Sequence, residues 1–174
     1  MIQMYRAKAI ETGEWIIGYI FRGYRDKDVK EKVFIVPENY IETYSVDEDT
    51  DHLTMKVVEV DKATICENSS IVDRLNDDIY EWDIVKCVTG SKGLYLVRYG
   101  NYSFCGGDYF GWYLEGKEST MGMPFTRPIT SECYIIGNVF DNEEVANQLC
   151  LGDLSEEYLC ERNNIDYRLS LIHI

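Results

Sequence analysis

Two short runs limit the fold of this chain most: Ile79-Tyr80-Glu81-Trp82-Asp83-Ile84-Val85 and, well downstream, Ile135-Ile136-Gly137-Asn138-Val139-Phe140-Asp141-Asn142. Each packs β-branched and aromatic residues at a density that suits a half-buried pleated surface. The Asp and Asn residues they carry are the types that fix turns by bonding to nearby backbone amides. Each therefore reads as a β-strand bordered by a polar turn. The wider composition agrees, since fourteen tyrosines against six phenylalanines favour strands over helices.

The remainder of the chain repeats this grammar. Residues 2–9, a Thr12-Gly13 turn and Trp15-Ile16-Ile17-Gly18-Tyr19-Ile20-Phe21 predict a hairpin. Val33 to Val36 predicts a short buried strand stopped by Pro37, Tyr40 to Tyr44 another, and Leu53 to Val60 a further one. Residues 69–78 are rich in Asn and Asp and read as a polar loop. Leu94 to Tyr99 alternates as a strand ending at Gly100-Asn101, and Phe104 to Tyr113 is an aromatic segment bent at its glycines. After Phe140 the chain changes character. Asn142-Glu143-Glu144 reads as a helix start and Gly152 as its end, with a second short helix from Ser155.

This organisation predicts a mainly β protein: a hairpin-rich N-terminal lobe (1–78), a small barrel-like lobe (79–141) and a short helical tail (142–174). The last residues, Arg168 to Ile174, read in two ways. They resemble translated adapter sequence, and they equally suit an apolar docking tail.

Charge narrows the function. With 17 basic against 31 acidic residues the net charge is −14, and acids outnumber bases in every third of the chain. Phosphate-backbone binding needs clustered Lys and Arg to release counterions, so nucleic acid is a disfavoured partner. No run approaches the ~20 apolar residues of a bilayer span, and the N-terminus lacks the pattern of a signal peptide. The expectation is a cytoplasmic chain without a membrane partner. In that compartment the six cysteines, which form no C-x-x-C pair, read as mostly free thiols.

Catalytic sets are scarce. A histidine-assisted nucleophile has only His52, in the acidic stretch 46–52, and His173 to draw on. That acidic stretch begins like a calcium loop but has His52 where glycine is needed and Val58 where glutamate is needed. Gly106-Gly107 and Gly111 do not form a phosphate-cradling loop. No cofactor is expected. Glu81 and Asp83 stand two apart, so on a strand both would face one side, where they could do acid–base work or hold magnesium. The competing and favoured reading has Asp83 accepting backbone N–H bonds to fix a turn. The aromatic set around Tyr109 and Trp112 suits a core, a protein interface or, with a positive groove, nucleobase stacking. The candidate binding residues are therefore Tyr80, Glu81, Trp82, Asp83, Tyr109 and Trp112, with no catalytic or metal-ligand residue assigned.

The order of these motifs resembles the YopX-like family of phage and prophage proteins. Tyr5-Arg6-Ala7, Gly13-Glu14-Trp15 and Gly18-Tyr19 are similar to its opening hairpin. Val60-Asp61-Lys62-Ala63-Thr64-Ile65, the stretch from Asp73 to Val85, Val97-Arg98-Tyr99 and Ile136 to Asn142 follow its later motifs, so the likeness spans roughly residues 4–145. The family pattern has glycine where this chain has Trp82, so this turn either avoids positive φ or tolerates strain. The resemblance implies a mostly β phage protein of no established activity. It would be an accessory, non-enzymatic module in the bacterial host cytoplasm that binds a host or phage protein or assembles with itself. A nucleic-acid-associated protein and a metal-dependent enzyme using Glu81 and Asp83 are the alternatives.

Overall fold

Thr12 and Gly13 reverse the chain as expected. The Glu14 amide donates to the Thr12 hydroxyl (3.2 Å), the Gly13 amide donates to the Ala9 carbonyl (2.8 Å), and Gly13 takes φ +71°. In the computed structural model, strand β1 (Tyr5–Lys8) thereby meets β2 (Trp15–Gly23) in antiparallel register from Tyr5↔Gly18 to Lys8↔Trp15. The structure describes residues 3–23, 32–38, 41–47, 50–88, 93–116, 122–125 and 132–142, with 144 and 149; for 41–47 and 50–55 it describes the backbone alone.

The chain divides into two compact units, one built on Met1–Cys66 and the other on Glu67–Leu154. In the first, β3 (Lys32–Pro37) pairs with β2 and β6 (Val58–Glu59) with β3, while β4 (Ile41–Asp47) and β5 (Thr50–Met55) form a separate hairpin. Alternation sends Tyr5, Ala7, Ile20, Val33 and Ile35 into one core with Val60 and Ile65. Each buried aliphatic side chain there contributes about 1.5–3 kcal/mol over leaving it in water. The expected strand 53–60 is interrupted at Lys56-Val57, because Val58 and Glu59 pair with Ile35 and Phe34 rather than extending the β4–β5 ladder.

The second unit begins at Glu67, within β7 (Cys66–Val72), which pairs with β8 (Asp78–Tyr80). Strands β9 (Asp83–Cys87), β10 (Gly93–Phe104), β11 (Gly107–Gly116), β12 (Met123–Pro124) and β13 (Cys133–Asn138) make an antiparallel sheet in the order β12-β11-β10-β9-β13. Ile79, Val85, Val97, Leu114 and Phe125 pack beneath it with Cys87 and Cys133. The mainly β architecture predicted from the sequence is the architecture adopted.

Four expectations change. Residues 69–72 are strand rather than loop: Ser70 sits at φ +59° and donates to the Asn68 side chain (2.6 Å), so the polar residues shape a kink inside β7. Ile79 to Val85 is two strands, broken at Glu81-Trp82. Strand β10 runs past Gly100 to Phe104, and Cys105 (φ +48°) and Gly106 (φ +81°) form the turn into β11. Two central residues at positive φ are what a two-residue hairpin needs to match strand twist.

The fourth change concerns thiols. Cys87 and Cys133 face each other across β9 and β13 with Cα atoms 4.1 Å apart and form a disulfide; Cys66 (buried) and Cys105 (exposed) are free. The pairing was invisible in the sequence because it depends on β13 lying beside β9. The expected helices after 142, the tail from Arg168, Cys150 and Cys160 lie outside the described residues, isolated positions apart.

Candidate functional site

The turn between β8 and β9 is built almost wholly from inward-facing groups. The Asp83 carboxylate, 0% exposed, accepts the Tyr80 amide (2.8 Å). Glu81, 1% exposed, donates its amide to the Glu67 carbonyl (2.9 Å), and its carboxylate accepts the Tyr99 amide (3.3 Å). The two acids therefore serve different backbone donors. The expectation that both lie on one strand face fails, because Glu81 sits in the turn rather than on a strand.

Trp82 occupies the left-handed region at φ +69° and is fully buried. A bulky residue there costs roughly 1–2 kcal/mol of backbone energy, so the surroundings must over-determine it. They do. Its amide donates to the Val97 carbonyl (2.9 Å) and its carbonyl accepts the Val139 amide (3.2 Å). The Arg98 guanidinium lies 3.6 Å from its ring centroid, and Phe140 meets the ring edge-on at 6.4 Å. Of the two alternatives left by the sequence, the turn tolerates strain. Tyr80 is also buried.

Two further polar residues close this structure, one in the stretch read as a polar loop and one in the second of the two runs read as strand and turn. Asp73, 5% exposed, accepts the Leu75 and Asp77 amides with one oxygen (2.7 and 3.0 Å) and the Ile135 amide with the other (3.1 Å). Asn138 accepts the Phe140 and Asp141 amides (2.9 and 3.0 Å) and donates to Asp141 (2.9 Å). Asn142 in turn accepts the Asn138 amide (3.1 Å), and a Cβ on Gly137 would collide with the Asn142 side chain. The Gly-Asn-Val-Phe-Asp-Asn run is thus one folded turn. The available signal was an Asp or Asn with two free amides just downstream.

Outside this region, the far part of the β10–β11 hairpin presents aromatic side chains. The β9 ladder pairs with β10 over Gly93–Leu96 and no further, and β12 pairs with β11 at Tyr113 and Leu114, whereas β10 and β11 pair through to Phe104↔Gly107. Residues directly opposite share a face. One face carries Tyr99, Trp112, Asn101, Phe110, Ser103 and Asp108; the other carries Tyr113, Tyr102 and Tyr109 around the Gly100↔Gly111 pair. Tyr99 contacts Phe110 (5.1 Å) and Trp112 (5.0 Å), and Tyr102 stacks on Tyr109 (5.7 Å) and Tyr113 (5.0 Å). Tyr109 and Phe110 remain 49% and 63% exposed, while Trp112 is half-buried.

The structure thus separates the candidates. Tyr80, Glu81, Trp82 and Asp83 come together in an interior turn, and Tyr109 and Trp112 lie on opposite faces of the hairpin. Asp108 accepts the Ser103 hydroxyl (2.7 Å) near the hairpin turn and does not join Glu81 and Asp83 in a shared acidic site. Among the described residues no group of three or more His, Cys, Asp or Glu is arranged to hold a metal ion, and no helix is long and apolar enough to cross a membrane.

No family model and no curated relative matches the chain. Among solved structures it is similar to the crystal structure of protein EF1440 from Enterococcus faecalis, with a TM-score of 0.51 at 14% identity. That likeness covers 83% of this chain and 98% of the other. At this identity it speaks to the fold alone.

Proposed function

We propose that the chain is a non-enzymatic protein-binding module that contacts its partner through the far end of the β10–β11 hairpin. The observation that carries this reading is the exposure of Tyr109 and Phe110 on opposite faces of that hairpin. Large exposed aromatic rings on a rigid element are the usual anchors of protein interfaces. The acids that would serve an enzyme point the other way, since Glu81 and Asp83 are buried and bonded to backbone amides. The resemblance to YopX-like proteins supports placing the module among phage or prophage accessory proteins, with a host or phage protein as partner in the bacterial cytoplasm. Nucleic acid is disfavoured further by Arg98, which is buried against Trp82 rather than joining Lys86 in a basic stripe.

The test is affinity capture from nuclease-treated bacterial lysate with the wild type and the Tyr109→Ala/Phe110→Ala double variant. A stoichiometric protein held by the first and lost by the second supports the reading. Capture that is equal for both moves the interface elsewhere, and capture that exists only without nuclease returns nucleic acid as the partner.

A further inference from the structure

We infer that the partner segment seated on the hairpin is basic, presenting Lys or Arg side chains to the Phe110 ring and to the Asp108 carboxylate on the same face; this rests on the hairpin being the interface. Three observations converge on a cationic occupant. The first is charge. Among residues 93–116 the ionisable Lys, Arg, Asp and Glu side chains are Arg98, Asp108 and Glu115. Arg98 is 2% exposed beneath the sheet, so the charge this hairpin offers to a partner is carboxylate. The chain as a whole stands at −14, which repels an acidic partner and a second copy of itself, and attracts a basic one.

The second is ring availability. Phe110 meets Tyr99 at an interplanar angle of 70°, and Tyr109 lies nearly parallel to Tyr102 at 26°. Both rings are held by a neighbour within the hairpin yet keep about half or more of their surface open. A guanidinium or ammonium over an open ring face is attracted by the ring quadrupole, and a carboxylate nearby adds to the attraction.

The third is how the chain uses its own cations. Arg6 and Lys8 sit over Trp15 (4.8 and 5.5 Å), Arg74 over Tyr134 (5.6 Å) and Arg98 over Trp82 (3.6 Å). Among the described residues no cation of the chain sits over Tyr109 or Phe110.

The probes are two labelled peptides of equal length, one alternating Arg with Val and one alternating Glu with Val, read by fluorescence anisotropy against the full chain. The Arg peptide should bind and weaken roughly tenfold or more between low and moderate salt, as exposed charge contacts are screened. The Glu peptide should not bind. Phe110→Ala and Asp108→Asn should each weaken the Arg peptide about fivefold or more, in the range of single interface contacts. If neither peptide binds while lysate capture still depends on Tyr109 and Phe110, the basic segment is wrong and the protein-binding reading stands. If capture ignores those residues, both fall. Concentration-dependent dimerisation abolished by Phe110→Ala would assign the surface to a second copy and overturn the inference.

Discussion

The β8–β9 turn and the β10–β11 hairpin each hold a non-glycine residue in the left-handed region, yet they are opposites in every other respect. Trp82 at φ +69° is enclosed on all sides, and every neighbouring acid is committed to a backbone amide. Cys105 at φ +48° is exposed at the end of a two-stranded hairpin whose aromatic rings face outward. Strain in the turn is offset by packing and serves the fold. In the hairpin the same backbone state costs stability with little packing to offset it. The lesson is that acidic and aromatic motifs of equal prominence in a sequence have different fates, and burial separates structural from interactive ones.

The largest effect should come from Trp82. Trp82→Ala removes a fully buried ring and should lower unfolding free energy by about 3–5 kcal/mol. Trp82→Gly should be less damaging than Trp82→Ala by roughly 1 kcal/mol, reversing the usual order, because glycine is free to adopt positive φ. Urea denaturation of both variants checks this. If Trp82→Gly is the worse of the two, the left-handed assignment is wrong.

Next is Asp83→Ala, which leaves the buried Tyr80 amide without its acceptor and should cost about 1–3 kcal/mol. A change within ~0.5 kcal/mol, the size expected of an ordinary surface substitution, would show that the carboxylate is not structural. In the hairpin the sign reverses. Cys105→Gly should stabilise the chain by up to ~1 kcal/mol by relieving the left-handed strain, visible as a higher urea midpoint. The smallest stability effect belongs to Tyr109→Ala and Phe110→Ala. Since about half or more of each residue's surface faces solvent, each should stay close to the wild type, within about 1 kcal/mol. A loss of several kcal/mol would make these rings core rather than interface.

Much of the fold was legible because period-two alternation and Gly-bearing turns act locally. Tyr5, Ala7, Val33 and Ile35 alternate into a core as their spacing predicts, and Thr12-Gly13 turns where expected. What failed was everything that depends on a distant strand. The break at Glu81-Trp82 needs Val97 and Glu67 beside it to satisfy the amides, and no local pattern reports them. The Cys87–Cys133 pair spans 46 residues and exists only through the β9–β13 register. The hairpin was misread because Gly100 and Gly111, which look like strand breakers one at a time, stand opposite each other inside a continuous ladder. The candidate site was half legible: Asp83 as a turn acceptor followed from its type, whereas the exposure of Phe110 and the burial of Glu81 did not.

The division of labour between turn and hairpin is tested most directly by comparing the affinity of Glu81→Gln and Phe110→Ala chains for the protein partner captured by the wild type. The account predicts that Glu81→Gln, buried and away from the interface, leaves affinity within about twofold, whereas Phe110→Ala loses at least about tenfold. Retained affinity in Phe110→Ala with loss in a folded Glu81→Gln chain would contradict it and return function to the acidic turn.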